Sequence, residues 1–110
     1  MSQAVLAVAE QNDGVFRKVT FEALSEARRI ADRLGAELVA VVLGHGVQAT
    51  AAELGRYGAD RIRVADHPAL AEYLNDAYCN VLAAVVAAEK PAVVVFGATT
   101  QGRVLAARLS

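Results

Sequence analysis

The sequence predicts an α/β domain in three layers, αβα, with helices on both faces of an open parallel Rossmann-like sheet. The predicted strand order is 3-2-1-4, the arrangement of adenine nucleotide α-hydrolase-like folds. Three observations lead there. Short continuous apolar runs at residues 4–9, 38–43 and 92–96 are the pattern of strands covered on both faces, as in parallel sheets. Helically spaced segments lie between them, so strand and helix alternate along the chain. The length, 110 residues, suits one domain over residues 1–110 and is too short for two.

The elements follow in order. Residues 4–9 are the first strand. Glu10, Gln11, Asn12, Asp13 and Gly14 then form an acidic, turn-rich stretch, read as a solvated loop with a tight turn at Asn12-Asp13-Gly14. Leu24, Ala27, Ile30, Ala31 and Leu34 recur at helical spacing and predict a helix over residues 21–34. Thr20 is its expected cap, Glu22 complements the dipole at its start, and Gly35 ends it. Arg28, Arg29 and Arg33 read as its solvent face. Residues 38–43 are the second strand, and residues 47–57 a short helix stopped by Gly58.

Arg61-Ile62-Arg63-Val64 alternates polar and apolar residues, as an edge strand with one wet face does. Leu74, Tyr78, Val81, Leu82 and Val85 share a face of a helix over residues 74–89, which Pro91 prevents from continuing. Residues 92–96 are the fourth strand, and a last helix begins near Gly102. Right-handed crossovers place the first strand in the middle. The first and fourth strands then lead to helices on opposite faces, and a crevice opens beyond their carboxyl ends, where open α/β sheets bind ligands. Residues 10–16 and 97–102 line it. The fourth strand is an uncovered edge, and Ser110 falls about two turns into the last helix. The expectation is therefore one piece of a larger assembly.

Composition narrows the function classes. Cys79 is the only cysteine, so an internal disulfide and a multi-cysteine metal site are both ruled out. A formal net charge of -1 gives no electrostatic case for nucleic acid or an anionic membrane. The longest apolar run, residues 81–88, is far short of the roughly 20 residues of a membrane span. The amino terminus lacks the basic start of a signal peptide, so a cytoplasmic location is expected.

The segment with most chemical promise is Phe96-Gly97-Ala98-Thr99-Thr100-Gln101-Gly102-Arg103, where a buried strand turns into a helix. Gly97 lets the backbone turn without a Cβ clash. Thr99 and Thr100 offer hydroxyls and caps, N–H groups at the helix start suit an anion, and Arg103 adds a bidentate contact. Gly97, Thr99, Thr100, Gly102 and Arg103 are the candidate cofactor-binding residues. The other reading is a well-capped strand-to-helix turn, and sequence alone leaves both open. Gly44-His45-Gly46-Val47-Gln48-Ala49 has the glycine spacing of a dinucleotide fingerprint, with Asp66 about 20 residues after Gly46. It follows the second strand rather than the first, which favours a plain turn. His45, His67 and Cys79 have no neighbours spaced as a ligand set or a catalytic pair. With no activated group in the crevice, the chain is not expected to be an enzyme.

Taken together, the residues resemble a known family: the N-terminal domain of the electron transfer flavoprotein α subunit. The resemblance rests on Val5-Leu6-Ala7-Val8-Ala9-Glu10 and on Gly35-Ala36-Glu37-Leu38-Val39-Ala40-Val41-Val42-Leu43-Gly44. It continues through Ala52-Glu53-Leu54-Gly55-Arg56-Tyr57-Gly58-Ala59-Asp60 and Val64-Ala65-Asp66-His67-Pro68. Lys90-Pro91 leading into the Gly97 turn completes it. The resemblance implies an αβ heterodimer that carries FAD, accepts electrons from flavin dehydrogenases and passes them to a quinone oxidoreductase or another acceptor. It implies a β subunit that binds AMP, and a separate C-terminal α domain that supplies most FAD contacts. A chain of this length has no room for that domain, so a scaffolding and subunit-contact role without FAD of its own is expected. The chain departs from the family pattern at Val104, where an acidic residue is usual, and at Ala107, where a proline is. A stand-alone adenine-nucleotide module, and a homo-oligomer formed through the exposed edge, are the competing expectations.

Overall fold

Every residue of the first strand is buried, and its side chains alternate between two apolar layers. The computed structural model describes residues 3–12, 14–71 and 75–109. In it β1 (Ala4–Val8) and β4 (Glu37–Gly44) form the centre of a parallel sheet. Val5 and Ala7, with Leu38, Ala40 and Val42, face Leu24, Ala27 and Ala31 of α1 (Lys18–Leu34). Leu6 and Val8, with Val39, Val41 and Leu43, face Tyr78, Leu82 and Val85 of α3 (Asn75–Glu89) and Leu105 of α4 (Thr100–Leu109). A strand with apolar residues at every position is stable only between two such layers. The sheet order is β5-β4-β1-β6, with β5 at Arg61–Asp66 and β6 at Val93–Val95. In order of the four long strands this is the predicted 3-2-1-4.

Several boundaries differ from the sequence reading. The helix expected over residues 21–34 begins at Lys18, and Thr20 is not its cap. Arg17 occupies the cap position, with extended backbone and no side-chain cap bond. Thr20 instead turns its hydroxyl back onto the Glu10 backbone, accepting from the Glu10 N–H and donating to the Glu10 carbonyl, each at 2.8 Å. Glu22 accordingly falls outside the first turn, which carries no acidic residue. Gly35 ends α1 in the left-handed conformation, as expected.

The expected loop over residues 10–16 contains a small antiparallel hairpin, β2 (Gln11–Asn12) with β3 (Val15–Phe16). So short a ladder is marginal by itself. Gln11 anchors it, donating from Nε2 to the Leu43 carbonyl and accepting at Oε1 from the Gly14 N–H. The expected turn residue Asp13 lies outside the described residues, as do Leu74 and Ser110. The helix expected over residues 47–57 is α2 (Gln48–Ala51) tightening into a 3₁₀ helix, Ala52–Tyr57. The last helix starts at Thr100, so Gly102 lies inside its first turn.

β5 is an edge strand, as predicted, but its charged face is not simply wet. Arg61 and Arg63 both donate to Glu89, whose side chain is only 7% exposed at the carboxyl end of α3. The two guanidiniums hold its pKa down at about 2, Arg61 contributing most. Arg28 is likewise more than solvent face: it bonds the Gly58 carbonyl and the carboxylates of Asp32 and Asp60. Asp60 also accepts from the Leu38 N–H, and these bonds hold it below the usual carboxylate range. No described helix is long and apolar enough to cross a membrane.

Candidate functional site

β1 and β6 lie side by side, with Val5 opposite Val93 and Ala7 opposite Val95. The chain leaves β1 toward α1 on one face and leaves β6 toward α4 on the other. The crevice beyond their ends is where an α/β sheet of this topology takes a ligand. It is built from Glu10 on one side and the turn at residues 97–103 on the other.

The glycines of the turn have steric reasons. A Cβ on Gly102 would lie 2.1 Å from the Gly97 carbonyl oxygen, a distance no side chain tolerates. A Cβ on Gly97 would lie 2.7 Å from Val19 Cγ2 and 3.1 Å from Glu10 Oε2. The turn is thus folded back on its own helix and pressed against α1. Thr99 caps α4: its hydroxyl oxygen accepts from the Gly102 N–H at 2.9 Å. The same hydroxyl donates to Glu10 Oε2 at 2.6 Å, joining residues at opposite ends of the sequence.

Glu10 holds a place at the crevice that the sequence reading did not foresee. Expected in a solvated loop, it is 3% exposed. Its Oε1 accepts from Arg17 Nη1 at 3.2 Å, and its backbone carbonyl accepts from the Arg17 N–H at 3.0 Å. Thr20 closes the remaining backbone groups, as described above. A buried carboxylate needs such partners, because an unpaired one is very costly. The only signal in the sequence was its place immediately after the first strand. Of the predicted site residues, the structure brings Gly97, Thr99 and Gly102 together against Glu10. Arg103 is exposed and makes no ion pair among the described residues, and only the backbone of Thr100 is described. The groove beside the turn is lined by Val19, Ala23, Val95 and Phe96, and by the carboxylates of Glu22 and Glu26.

The second glycine-rich turn has a similar occupant. Asp66 accepts from the N–H groups of Gly46 and Val47, both at 2.9 Å, and these bonds hold its pKa below the ordinary value. His45 Nδ1 lies 3.6 Å from the same carboxylate. The acidic residue at fingerprint spacing therefore caps the turn itself, in place of a ribose, and the dinucleotide reading falls. His67 is exposed, and its Nδ1 accepts from the Ala69 N–H at 3.0 Å. Cys79 is half-buried on α3. No group of three potential metal ligands occurs among the described residues.

A crevice at the switch point of a parallel sheet is a feature of open Rossmann-like α/β modules, and this chain has that fold. The comparison with known proteins is sharper. A family model of the electron transfer flavoprotein domain matches residues 5–110, and the chain belongs to that family. Members are flavin-containing electron carriers. The chain is 50% identical over 99 residues to the acryloyl-CoA reductase electron transfer subunit beta of Anaerotignum propionicum, covering 90% of this chain and 27% of that protein. It is 38% identical over 108 residues to the electron transfer flavoprotein subunit alpha of Clostridium acetobutylicum, covering 98% and 32%. Against the corresponding subunit of Bacillus subtilis it is 38% identical over 110 residues, covering 100% and 33%. The chain thus spans about a third of the length of these curated relatives.

FAD carries a pyrophosphate, and AMP a phosphate, which an α/β crevice holds with free donors at a helix start. Here Thr99 and Arg17 donate to Glu10. These residues do not fit a phosphate-bearing group in the crevice.

Proposed function

We propose that this chain is the N-terminal domain of an electron transfer flavoprotein α subunit, with residues 1–110 forming one domain. Its role is to scaffold the cofactor region and to contact the β subunit. Redox chemistry belongs to FAD held elsewhere in the complex, and AMP to the β subunit. The observation that carries this reading is the match of nearly the whole chain to relatives named as α subunits, of which it covers a third. The internal bonding of Glu10, Thr99 and Gly102 supports a structural role for most of the turn. Within that turn Arg103 is the residue proposed to reach outward, toward a carboxylate or phosphate of the partner or cofactor. The parent complex would take electrons from flavin dehydrogenases and pass them to a quinone oxidoreductase or another acceptor. The name of the Anaerotignum relative favours dehydrogenases of the acyl-CoA type. A cytoplasmic location goes with this reading.

The test is co-expression of the tagged chain with the β subunit of its own source. The two proteins should elute as one complex of equal stoichiometry by size exclusion. Independent elution of both at micromolar concentration would overturn the subunit-contact role.

A further inference from the structure

We infer that Glu10 is a built-in anion that takes the place of a ligand phosphate and bars phosphate-bearing ligands from the crevice between β1 and β6. The donor set around it is the kind an anion site uses: a guanidinium from Arg17, and the Thr99 hydroxyl at the start of α4. Their common acceptor is not a ligand but a side chain of the chain itself, 3% exposed and bound at both oxygens. The Thr99 hydroxyl has a single proton to donate, already given to Glu10, so it cannot donate to a ligand without abandoning that carboxylate. A phosphate brought to these donors would lie about 4 Å from a fixed negative charge. At the effective dielectric of a protein surface that repulsion weakens binding by a hundredfold or more. Asp66 shows the same economy at the other turn, satisfying the Gly46 and Val47 N–H groups from within the chain. The crevice of the ligand-binding topology is kept, and its ligand is replaced by a residue.

The inference concerns ligand exclusion by this chain and is independent of whether it assembles with a β subunit. It is tested with the purified chain and its variants Glu10→Gln and Glu10→Ala. Inorganic phosphate, AMP and adenosine are titrated by calorimetry and by the amide NMR shifts of residues 97–103. The wild-type chain should bind none of the three at millimolar concentration. The variants should bind phosphate and prefer AMP to adenosine by at least about tenfold, with the shifts centred on Gly97 and Gly102. If a variant is unfolded in buffer, AMP should restore its fold and adenosine should not, because a ligand of the native state pulls the equilibrium toward it. Phosphate binding by the wild-type chain with shifts at Gly97 and Gly102 would overturn the inference. So would folded variants that still ignore phosphate, or an unfolded variant that AMP fails to rescue.

Discussion

Gly102 and Thr99 act within 3 Å of each other and for opposite reasons, one by lacking atoms and one by supplying them. Gly102→Ala drives a methyl group into the Gly97 carbonyl, so either the turn or the start of α4 must move. Urea denaturation should show a loss of about 2–4 kcal/mol. Gly55→Ala, where a Cβ meets open space, should change stability by less than about 0.5 kcal/mol. Thr99→Val keeps the side-chain shape but removes both the cap and the donor to Glu10. It should cost about 1–2 kcal/mol in the same assay. The sequence made the glycines and threonines of this turn visible, though not which contact each serves. Glu10 was invisible in its role because Arg17 and Thr20 meet it only once α1 turns back on the strand, and Thr99 only from the far end of the chain. A carboxylate in a turn-rich stretch looks solvated until the fold brings donors to it. Asp66 was visible by spacing, and the plain turn favoured there is what forms; its bonds to the Gly46 and Val47 N–H groups were not legible, because those groups lie about 20 residues away.

At the scale of elements, burial decides what can be read. β1 and β4 were legible because strands enclosed on both faces are apolar almost throughout, and β6, though half-buried at the edge, carries the same apolar run. The start of α1 was not, because Arg17, Lys18 and Val19 carry no capping signal, while Thr20 mimics one. The β2–β3 hairpin was missed because its strands are too short to show a period. The attachment of α3 to β5 was also hidden, since it depends on Glu89 meeting Arg61 and Arg63 across the fold. Glu89 closes a helix whose C-terminal dipole end repels it, so the two guanidiniums must offset both that and its burial. Its folded pKa lies below its ordinary value of 4.5, at about 2. The stabilisation is therefore fully present above the ordinary carboxylate range and is lost as pH falls through that interval. Glu89→Gln should be about 1–2 kcal/mol less stable than wild type at neutral pH. The difference should shrink toward zero by about pH 2, as wild type protonates. A gap between the two denaturation curves that stays constant with pH would contradict the ion-pair account.

At the scale of the whole molecule, the strand order and its crevice were legible from the chain alone. The handedness of crossovers leaves few ways to wind four parallel strands, and the simplest of them put β1 inside. What the crevice contains was not legible, because topology says where a ligand would sit and side chains decide whether it does. A crevice of this topology offers donors to a phosphate, and this chain supplies a carboxylate that takes them up. The proposed scaffold keeps a ligand-binding topology and fills its crevice with its own side chains. Equilibrium dialysis of FAD against the purified chain tests this most directly. Flavin should distribute equally across the membrane, with its absorption spectrum unchanged. Stoichiometric retention of FAD on the protein side, with a shifted spectrum, would contradict the account.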